Sequence, residues 1–257
     1  MELHLHEWGD PAAPPVVCLH GVSAHGRRFR RLAEERLVPD FLVLAPDLRG
    51  HGFSEWEPPW TIATHAHDVL ETLDAAGVHR AAFVGHSFGA RLILELVALD
   101  YERVERAALL DPAIQILPHV GFDFAERERA GRAYASPKEA LAEKLAENES
   151  PRAFIEEDIR EHLERTRDGA FRFRYCASAV VSAFGELCTP PPAPETLHAP
   201  TLLVHAKQFG LVREEQIEAY RATLGDKLEV VAVPGWHVVY WDAYEETADA
   251  VDRFLRG

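Results

Sequence analysis

Short, continuous apolar runs recur along the chain and alternate with helical patterns. The runs are PVVCLH at 15–20, FLVLAPD at 41–47, AAFVGHS at 81–87, RAALLDP at 106–112, TLLVHA at 201–206 and LEVVAVP at 228–234. Helical patterns lie at 27–37, 61–76, 88–100, 213–224 and 243–256. Continuous apolar strands suit a parallel sheet that is covered on both faces, whereas ELHLHEW at 2–8 alternates like an antiparallel edge strand. The pattern predicts a mostly parallel, doubly wound α/β sheet.

One stretch, from about 113 to 197, breaks this alternation. It contains no convincing strand and shows helical segments near 121–134, 137–147, 151–166 and 171–187. Ser136-Pro137 and Ser150-Pro151 resemble helix starts, with serine at the cap and proline in the first turn. A proline-rich connector, TPPPAPETLHAP, leads back to the sheet. We therefore expect a helical cap at 113–197, inserted into a core formed by 1–112 and 198–257.

Length, net charge and cysteine content limit the kinds of partner and the location expected for this protein. A chain of 257 residues suits one large α/β domain or one domain with an insertion. The net charge of -15 argues against nucleic acid and against anionic lipid. The N-terminus lacks a signal-peptide core and no run of 18 apolar residues exists, so we expect no membrane contact. Three widely spaced cysteines, Cys18, Cys176 and Cys188, suit reduced thiols and a cytoplasmic location.

Fourteen histidines raise the question of a metal site. His4 and His6 alternate along the predicted edge strand, but no third ligand follows nearby in the sequence. His65 and His67 are two apart on a predicted helix, so their side chains diverge around its axis. We expect neither a metal nor an organic cofactor.

The stretch GHSFG at 85–89 carries the strongest chemical signal. Ser87 follows an apolar strand and precedes a helix, which is the context of a nucleophile elbow. Gly85 and Gly89 suit this sharp turn, where neighbouring backbone leaves no room for a Cβ. A serine hydroxyl needs a base, and His237 follows the last strand, where that base is expected. A structural turn without catalysis is the alternative.

Taken together, these motifs resemble the capped, single-domain serine hydrolases of the α/β-hydrolase fold superfamily. The resemblance covers nearly the whole chain, with LHG at 19–21, PDLRGHGFS at 46–54, GHSFG at 85–89 and PGWH at 234–237 in the family's order. It implies that the backbone N–H groups of Val22 and Phe88 form the oxyanion hole, where losing one donor costs roughly 3 kcal/mol. It also implies loop scaffolding roles for His20, Asp47, Arg49 and His51.

The third member of the triad departs from the family's usual pattern. Most members place the acid after the penultimate strand, where this chain reads LLVHAKQFGLV with Phe209 in the acid's place. Some members take the acid from the end of the strand after the elbow helix, which is Asp111 here. The order Ser87, Asp111, His237 keeps nucleophile, acid and base in sequence. We expect Asp111 to orient His237; Glu214, or a dyad without an acid, is the alternative.

The resemblance implies hydrolysis of a small-molecule ester, or a related acyl substrate, through an acyl-enzyme on Ser87. The serine argues against haloalkane dehalogenases and epoxide hydrolases, which use aspartate. Carbon–carbon bond hydrolysis and a receptor-like protein without turnover stay open. The charged run from Glu126 to Arg129 is interpreted as a solvated helix face. Aromatic side chains are expected to line an apolar acyl pocket: Phe88, Phe122, Phe124, Phe209, Trp236 and Trp241.

Overall fold

A central sheet organises the chain, and the computed structural model describes residues 1–147 and 149–257. In chain order the strands are β1 (Leu5–Trp8), β2 (Pro15–Leu19), β3 (Leu42–Pro46), β4 (Ala81–His86), β5 (Val104–Leu110), β6 (Leu163–Arg165), β7 (Phe171–Phe173), β8 (Thr201–Ala206) and β9 (Leu228–Val233). The large sheet has the order β1-β3-β2-β4-β5-β8-β9. Strand β1 is antiparallel to β3, and the other neighbours are parallel. The predicted sheet and its antiparallel edge strand are confirmed.

Helices cover both faces of this sheet. In chain order they are α1 (Arg30–Leu32), α2 (Ile62–Ala75), α3 (Phe88–Leu99), α4 (Pro118–Arg129), α5 (Pro137–Glu147), α6 (Arg152–His162), α7 (Ala177–Leu187), α8 (Glu214–Leu224), α9 (Val239–Asp242) and α10 (Tyr244–Arg256). The helix predicted at 27–37 is instead a 3₁₀ turn, the short α1 and a π-helical turn at Ala33–Leu37. Within the described residues, no helix is long and apolar enough to cross a membrane.

Strand β2 explains why the apolar runs are continuous. Val17 and Leu19 pack into a cluster with α2 and α3 on one face of the sheet. Val16 and Cys18 point the opposite way, into a cluster with α1 and α10. Because both faces are buried, every position of the strand is apolar. Each fully buried aliphatic side chain contributes about 1.5–3 kcal/mol, so this double coverage holds the strand ends, and the residues that follow them, in fixed positions.

The segment between β5 and β8, residues 113–197, carries four helices, α4 to α7. It also contains an antiparallel hairpin of β6 and β7, so the expectation of no strand in this stretch is wrong. The hairpin closes where the N–H of Gly169, at φ +90°, donates to the carbonyl of Thr166. Asp168-Gly169, followed by the alternating FRFRY, was the available signal. The hairpin shortens the helices predicted at 151–166 and 171–187.

The two predicted serine caps of this segment behave differently. Ser136 accepts a hydrogen bond from the N–H of Glu139 at 3.2 Å, as a helix cap does. Ser150 does not cap α6; its hydroxyl donates to a carboxylate oxygen of Asp242. That contact ties the start of α6 to the part of the chain that follows β9, so the serine serves tertiary packing instead of the helix end.

Candidate active site

Ser87 lies in the tight turn between β4 and α3. Its φ of 53° is strained for a residue with a side chain. A Cβ on Gly89 would lie 2.0 Å from the carbonyl oxygen of Leu19, and a Cβ on Gly85 would lie 2.6 Å from the nitrogen of Ala90. Only glycine fits at both positions. The turn therefore holds the Ser87 hydroxyl at the N-terminus of α3, whose dipole favours negative charge.

His237 reaches Ser87 from the loop that follows β9. Its Nε2 lies 2.9 Å from Oγ of Ser87, and its Nδ1 lies 2.6 Å from Oδ2 of Asp111. With a carboxylate as its neighbour, Nδ1 is the nitrogen that donates, which leaves the Nε2 lone pair to accept the serine proton. The structure thus brings three residues that are far apart in sequence into one hydrogen-bonded line.

Asp111 is fixed in this line by the ends of two strands. It is fully buried, with φ 40°, directly after β5. Its N–H donates to the carbonyl of Val204 at 2.7 Å, and its Oδ1 accepts the N–H of Ala206 at 3.0 Å. These contacts turn Oδ2 towards His237. Glu214 lies exposed at the start of α8, and within the described residues it makes no contact with His237.

The two predicted oxyanion-hole donors flank Ser87. Phe88 follows Ser87 directly in the chain. Val22 and Ser87 line one cavity, which is described below. A Cβ on Gly21 would lie 3.2 Å from the Cβ of Ser87, so the Val22 loop passes close beside the serine. Neither N–H donates to an acceptor in the described part of the chain. Both are therefore available to a ligand oxygen.

Buried histidines hold the loop that contains Val22. His20 donates from Nδ1 to the carbonyl of Gly21 at 2.8 Å and accepts the N–H of Leu48 on Nε2 at 2.9 Å. His51 accepts the N–H of Ser23 on Nε2 at 3.3 Å. Burial lowers the pKa of His51 to about 4, and it lowers the pKa of His20 as well. Both rings are therefore neutral, as their acceptor role requires.

Asp47 and Arg49 also serve loop structure. Asp47 accepts backbone N–H groups from Gly26 at 2.8 Å and Phe53 at 2.9 Å. Arg49 donates two hydrogen bonds to Asp68. These contacts fix the loop after β3.

A cavity of about 460 Å³ opens above Ser87 and His237. Its volume lies in the range of small-molecule sites. The core contributes its floor, and the segment 113–197 contributes much of the wall. Apolar lining residues include Ala113, Ile116, Phe124, Ile155, Phe184, Leu187, Phe209, Leu211, Val238 and Trp241.

The structure brings only some of the aromatic side chains predicted for the pocket to this cavity. Phe124, Phe209 and Trp241 line the cavity, but Phe122 and Trp236 do not and are 64% and 44% exposed. Phe122 and Phe124 are two positions apart on α4, so their side chains leave the helix on different faces. Phe88 is also outside the lining, since its buried ring packs edge-on against His65.

Phe209 occupies a special place among these aromatics. Its ring stacks on the imidazole of His237, with 4.7 Å between centroids and 20° between planes. The residue that stands where most of the family has its acid therefore covers the face of the histidine, while Asp111 binds its edge.

Charged side chains form the part of the wall that the sequence interpretation missed. Arg28, from the core, donates two hydrogen bonds to Asp158 of α6. Burial alone would raise the pKa of Asp158, but Arg28 and then His25 hold it well below its usual value. Lys144 of α5 also lines the cavity; burial and then Arg132 lower its pKa. The lining of the cavity therefore combines apolar and ionic side chains.

The charged run on α4 does not all point away from the cavity, although only Glu128 of its four residues is half-buried and the others are exposed. Glu126 and Arg129 pair on the surface at 3.1 Å, as a solvated face does. Arg127 and Glu128 instead line the cavity. Together with Phe124 they have the spacing i, i+3, i+4, which was the signal that one face of α4 is turned inward.

Among the residues that the structure describes, two groups of side chains have the composition of a metal site. His4, His6 and Asp47 lie together, so the structure supplies the third ligand that the sequence lacked. The other group is His25, Asp158 and His162. In each group the carboxylate already accepts hydrogen bonds, from backbone N–H groups and His6 or from Arg28 and His25. A bound cation would have to displace these donors.

Known proteins resemble this chain in sequence and in fold. A family model described as alpha/beta hydrolase fold matches residues 14–134. Lipase LipV of Mycobacterium tuberculosis is 31% identical over 244 residues, which cover 93% of this chain and 92% of that protein. Esterase YbfF of Escherichia coli is 33% identical over 99 residues, 38% of this chain and 39% of that protein. The solved structure of E-2-(acetamidomethylene)succinate hydrolase superposes with a TM-score of 0.90 at 23% identity, covering 99% of this chain and 95% of that one.

Proposed function

Since the chain belongs to the α/β-hydrolase fold family, we propose that it is a serine hydrolase that cleaves a carboxylic ester through an acyl-enzyme on Ser87. The observation that carries the proposal is the hydrogen-bonded line from Ser87 through His237 to Asp111. The names of the relatives, a lipase and an esterase, agree with ester hydrolysis.

The first half of the reaction acylates the serine. The Ser87 Oγ attacks the ester carbonyl while its proton passes to Nε2 of His237. The carbonyl oxygen becomes an oxyanion that accepts hydrogen bonds from the N–H groups of Val22 and Phe88. As the intermediate collapses, Nε2 returns the proton to the leaving alcohol oxygen and the C–O bond breaks. Asp111 holds the imidazole in its tautomer and stabilises the imidazolium.

The second half repeats these steps with water. His237 takes a proton from a water molecule, whose oxygen attacks the acyl carbonyl. The proton then goes to Oγ of Ser87, and the carboxylic acid leaves. The reaction as written is proton transfer and acyl transfer, so the chain's own residues suffice and no cofactor enters any step.

We assign substrate selection to a cap formed by residues 113–197, above a core of 1–112 and 198–257. The cap side of the cavity offers both apolar and charged surface, and the volume of about 460 Å³ suits a small or medium ester.

The test is a panel of p-nitrophenyl esters graded by acyl length, with Ser87→Ala beside the native protein. Ser87→Ala should lose about 10⁴-fold or more in turnover, because the nucleophile is gone. A fluorophosphonate probe should label Ser87 in the native protein, located by peptide mass. Ser178→Ala, on the exposed face of α7, is the matched control and should keep both activity and labelling. Full activity in Ser87→Ala would refute the proposal.

A further inference from the structure

His86, the residue before the serine, is buried and borders the catalytic cavity. Its Nε2 lies 2.9 Å from the backbone carbonyl oxygen of His237. A carbonyl oxygen only accepts, so Nε2 carries the proton and donates. The His86 ring also lies 4.6 Å from the His237 ring and 5.1 Å from that of Tyr240, between centroids. The elbow is therefore tied to the main chain of the histidine loop as well as to its side chain.

The other edge of the His86 ring faces the loop of the proposed oxyanion hole. A Cβ on Gly21 would lie 2.9 Å from Nδ1 of His86. Because Nε2 holds the proton, Nδ1 of the neutral ring is an acceptor, and it has no hydrogen-bond partner among the described residues. The ring thus fills the space between Gly21 and His237, and it makes a hydrogen bond only on the His237 side among the described residues.

The charge of His86 suits this position. Burial, and then the neighbouring His237, lower the pKa of His86 well below its usual range. The ring therefore stays neutral when His237 takes the serine proton and becomes an imidazolium. A second cation at this distance would oppose that proton transfer.

We propose that His86 is a positioning residue, whose Nε2–H holds the carbonyl of His237 so that the imidazole stays in line with Oγ of Ser87. This inference rests on the proposed function. The contact acts on the geometry of proton transfer and makes no bond to the reacting atoms. Its loss should lower kcat more than it changes KM, and a misplacement of about 1 Å costs about 10²-fold.

Two amide substitutions separate the hydrogen bond from simple packing. The amide nitrogen of glutamine can reach the place of the histidine Nε2, whereas the shorter asparagine places its nitrogen near Nδ1. We expect His86→Gln to keep most of the native kcat on p-nitrophenyl butyrate and His86→Asn to lose about 10²-fold. The rate of fluorophosphonate labelling of Ser87 should follow the same order.

His86→Phe keeps a ring but removes the donor, and it should lose kcat like His86→Asn. Tyr240→Phe is the matched control, because it removes a buried hydroxyl that has no partner among the described residues beside the same ring. It should keep the native kcat. Thermal unfolding shows how much of each variant is folded, and each rate is expressed per mole of folded protein. If His86→Phe does not fold, the comparison of His86→Gln with His86→Asn tests the inference.

The pH profile gives an independent readout. In the native protein and in His86→Gln, the acid limb of kcat/KM should have a slope of one and the same midpoint, because His86 does not titrate there. Equal kcat in the glutamine and asparagine variants, or a phenylalanine variant more active than glutamine, would overturn the inference. If Ser87→Ala keeps its activity, the proposed function fails instead, so the two failures are distinct.

Discussion

The two sides of the cavity above Ser87 are built in different ways. On the core side, backbone geometry fixes the groups: Ser87 and Asp111 have positive φ, and Gly85 and Gly89 leave no room for a side chain. On the side of segment 113–197, side chains form the wall: apolar ones such as Phe124, and long charged ones that hold one another, as Arg132 does with Glu128, Glu143 and Glu147.

This difference suggests a division of work. Strand ends buried on both faces cannot move independently, so they suit proton transfer, which tolerates little displacement. Side chains on the helices can be replaced by others of different length and charge without disturbing the sheet. They therefore suit the selection of substrates. Substitutions on the core side should therefore act on kcat, and those on the cap side should act on KM and on the choice of acyl group.

The largest effect should come from the acid on the core side. Asp111→Asn keeps the shape of the residue but no longer fixes the tautomer of His237, so kcat should fall by about 10⁴-fold. Thermal unfolding checks that the variant folds, and p-nitrophenyl ester hydrolysis gives the rate. Glu214→Gln is the control and should cost little. The opposite ranking of these variants would move the acid away from Asp111.

A smaller effect, on the free energy of unfolding, should come from the ion pair of Arg28 and Asp158, which joins the two sides of the cavity. Asp158→Asn removes the buried negative charge that pairs with the half-buried Arg28 and should lower the free energy of unfolding by about 3 kcal/mol at pH 7. The folded-state pKa of Asp158 lies below its unfolded value of about 3.9, so folding favours the ionised form. The contribution is therefore complete above about pH 5 and is lost as the pH falls through the folded pKa.

Denaturant unfolding from pH 7 to pH 3 measures this dependence. The difference between the native protein and Asp158→Asn should shrink below about pH 4. A difference that stays constant over this range would show that the loss of stability in Asp158→Asn does not depend on the ionisation of Asp158. Glu126→Gln, which breaks an exposed pair with Arg129, should change stability by less than about 1 kcal/mol.

The smallest effect should come from the cap's apolar lining. Phe124 lines the cavity, whereas Phe122, on the same helix, is exposed. Phe124→Ala should change the ratio of kcat/KM between a butyrate and an acetate ester by roughly tenfold, because it enlarges the acyl site. Phe122→Ala should leave the ratio unchanged. Equal responses of the two variants would place the acyl group away from α4.

The strands were predictable from the sequence because burial on both faces leaves a continuous apolar run, as in β4 and β8. The hairpin of β6 and β7 was missed despite the turn signal at Asp168-Gly169, since its strands have three residues each and lie beside helical patterns. Phe122 and Trp236 were assigned to the pocket by residue type alone. Their exposure depends on the angle at which each element meets its neighbours, which residue type does not encode.

The sequence by itself determined the order of the elements and the tight turn at Ser87, because local sterics and apolar periodicity act over a few residues. The expectation that Asp111 meets His237 came from the family resemblance, since local pattern cannot show a contact that depends on two strand ends brought together only in the folded sheet. Oδ2 of Asp111 lies 2.6 Å from the imidazole, so His237 has a carboxylate neighbour although Phe209 stands where most of the family has its acid. The ionic wall of the cavity was likewise decided by tertiary structure, because Arg28 and Asp158 are 130 positions apart and meet only when α6 folds over the core.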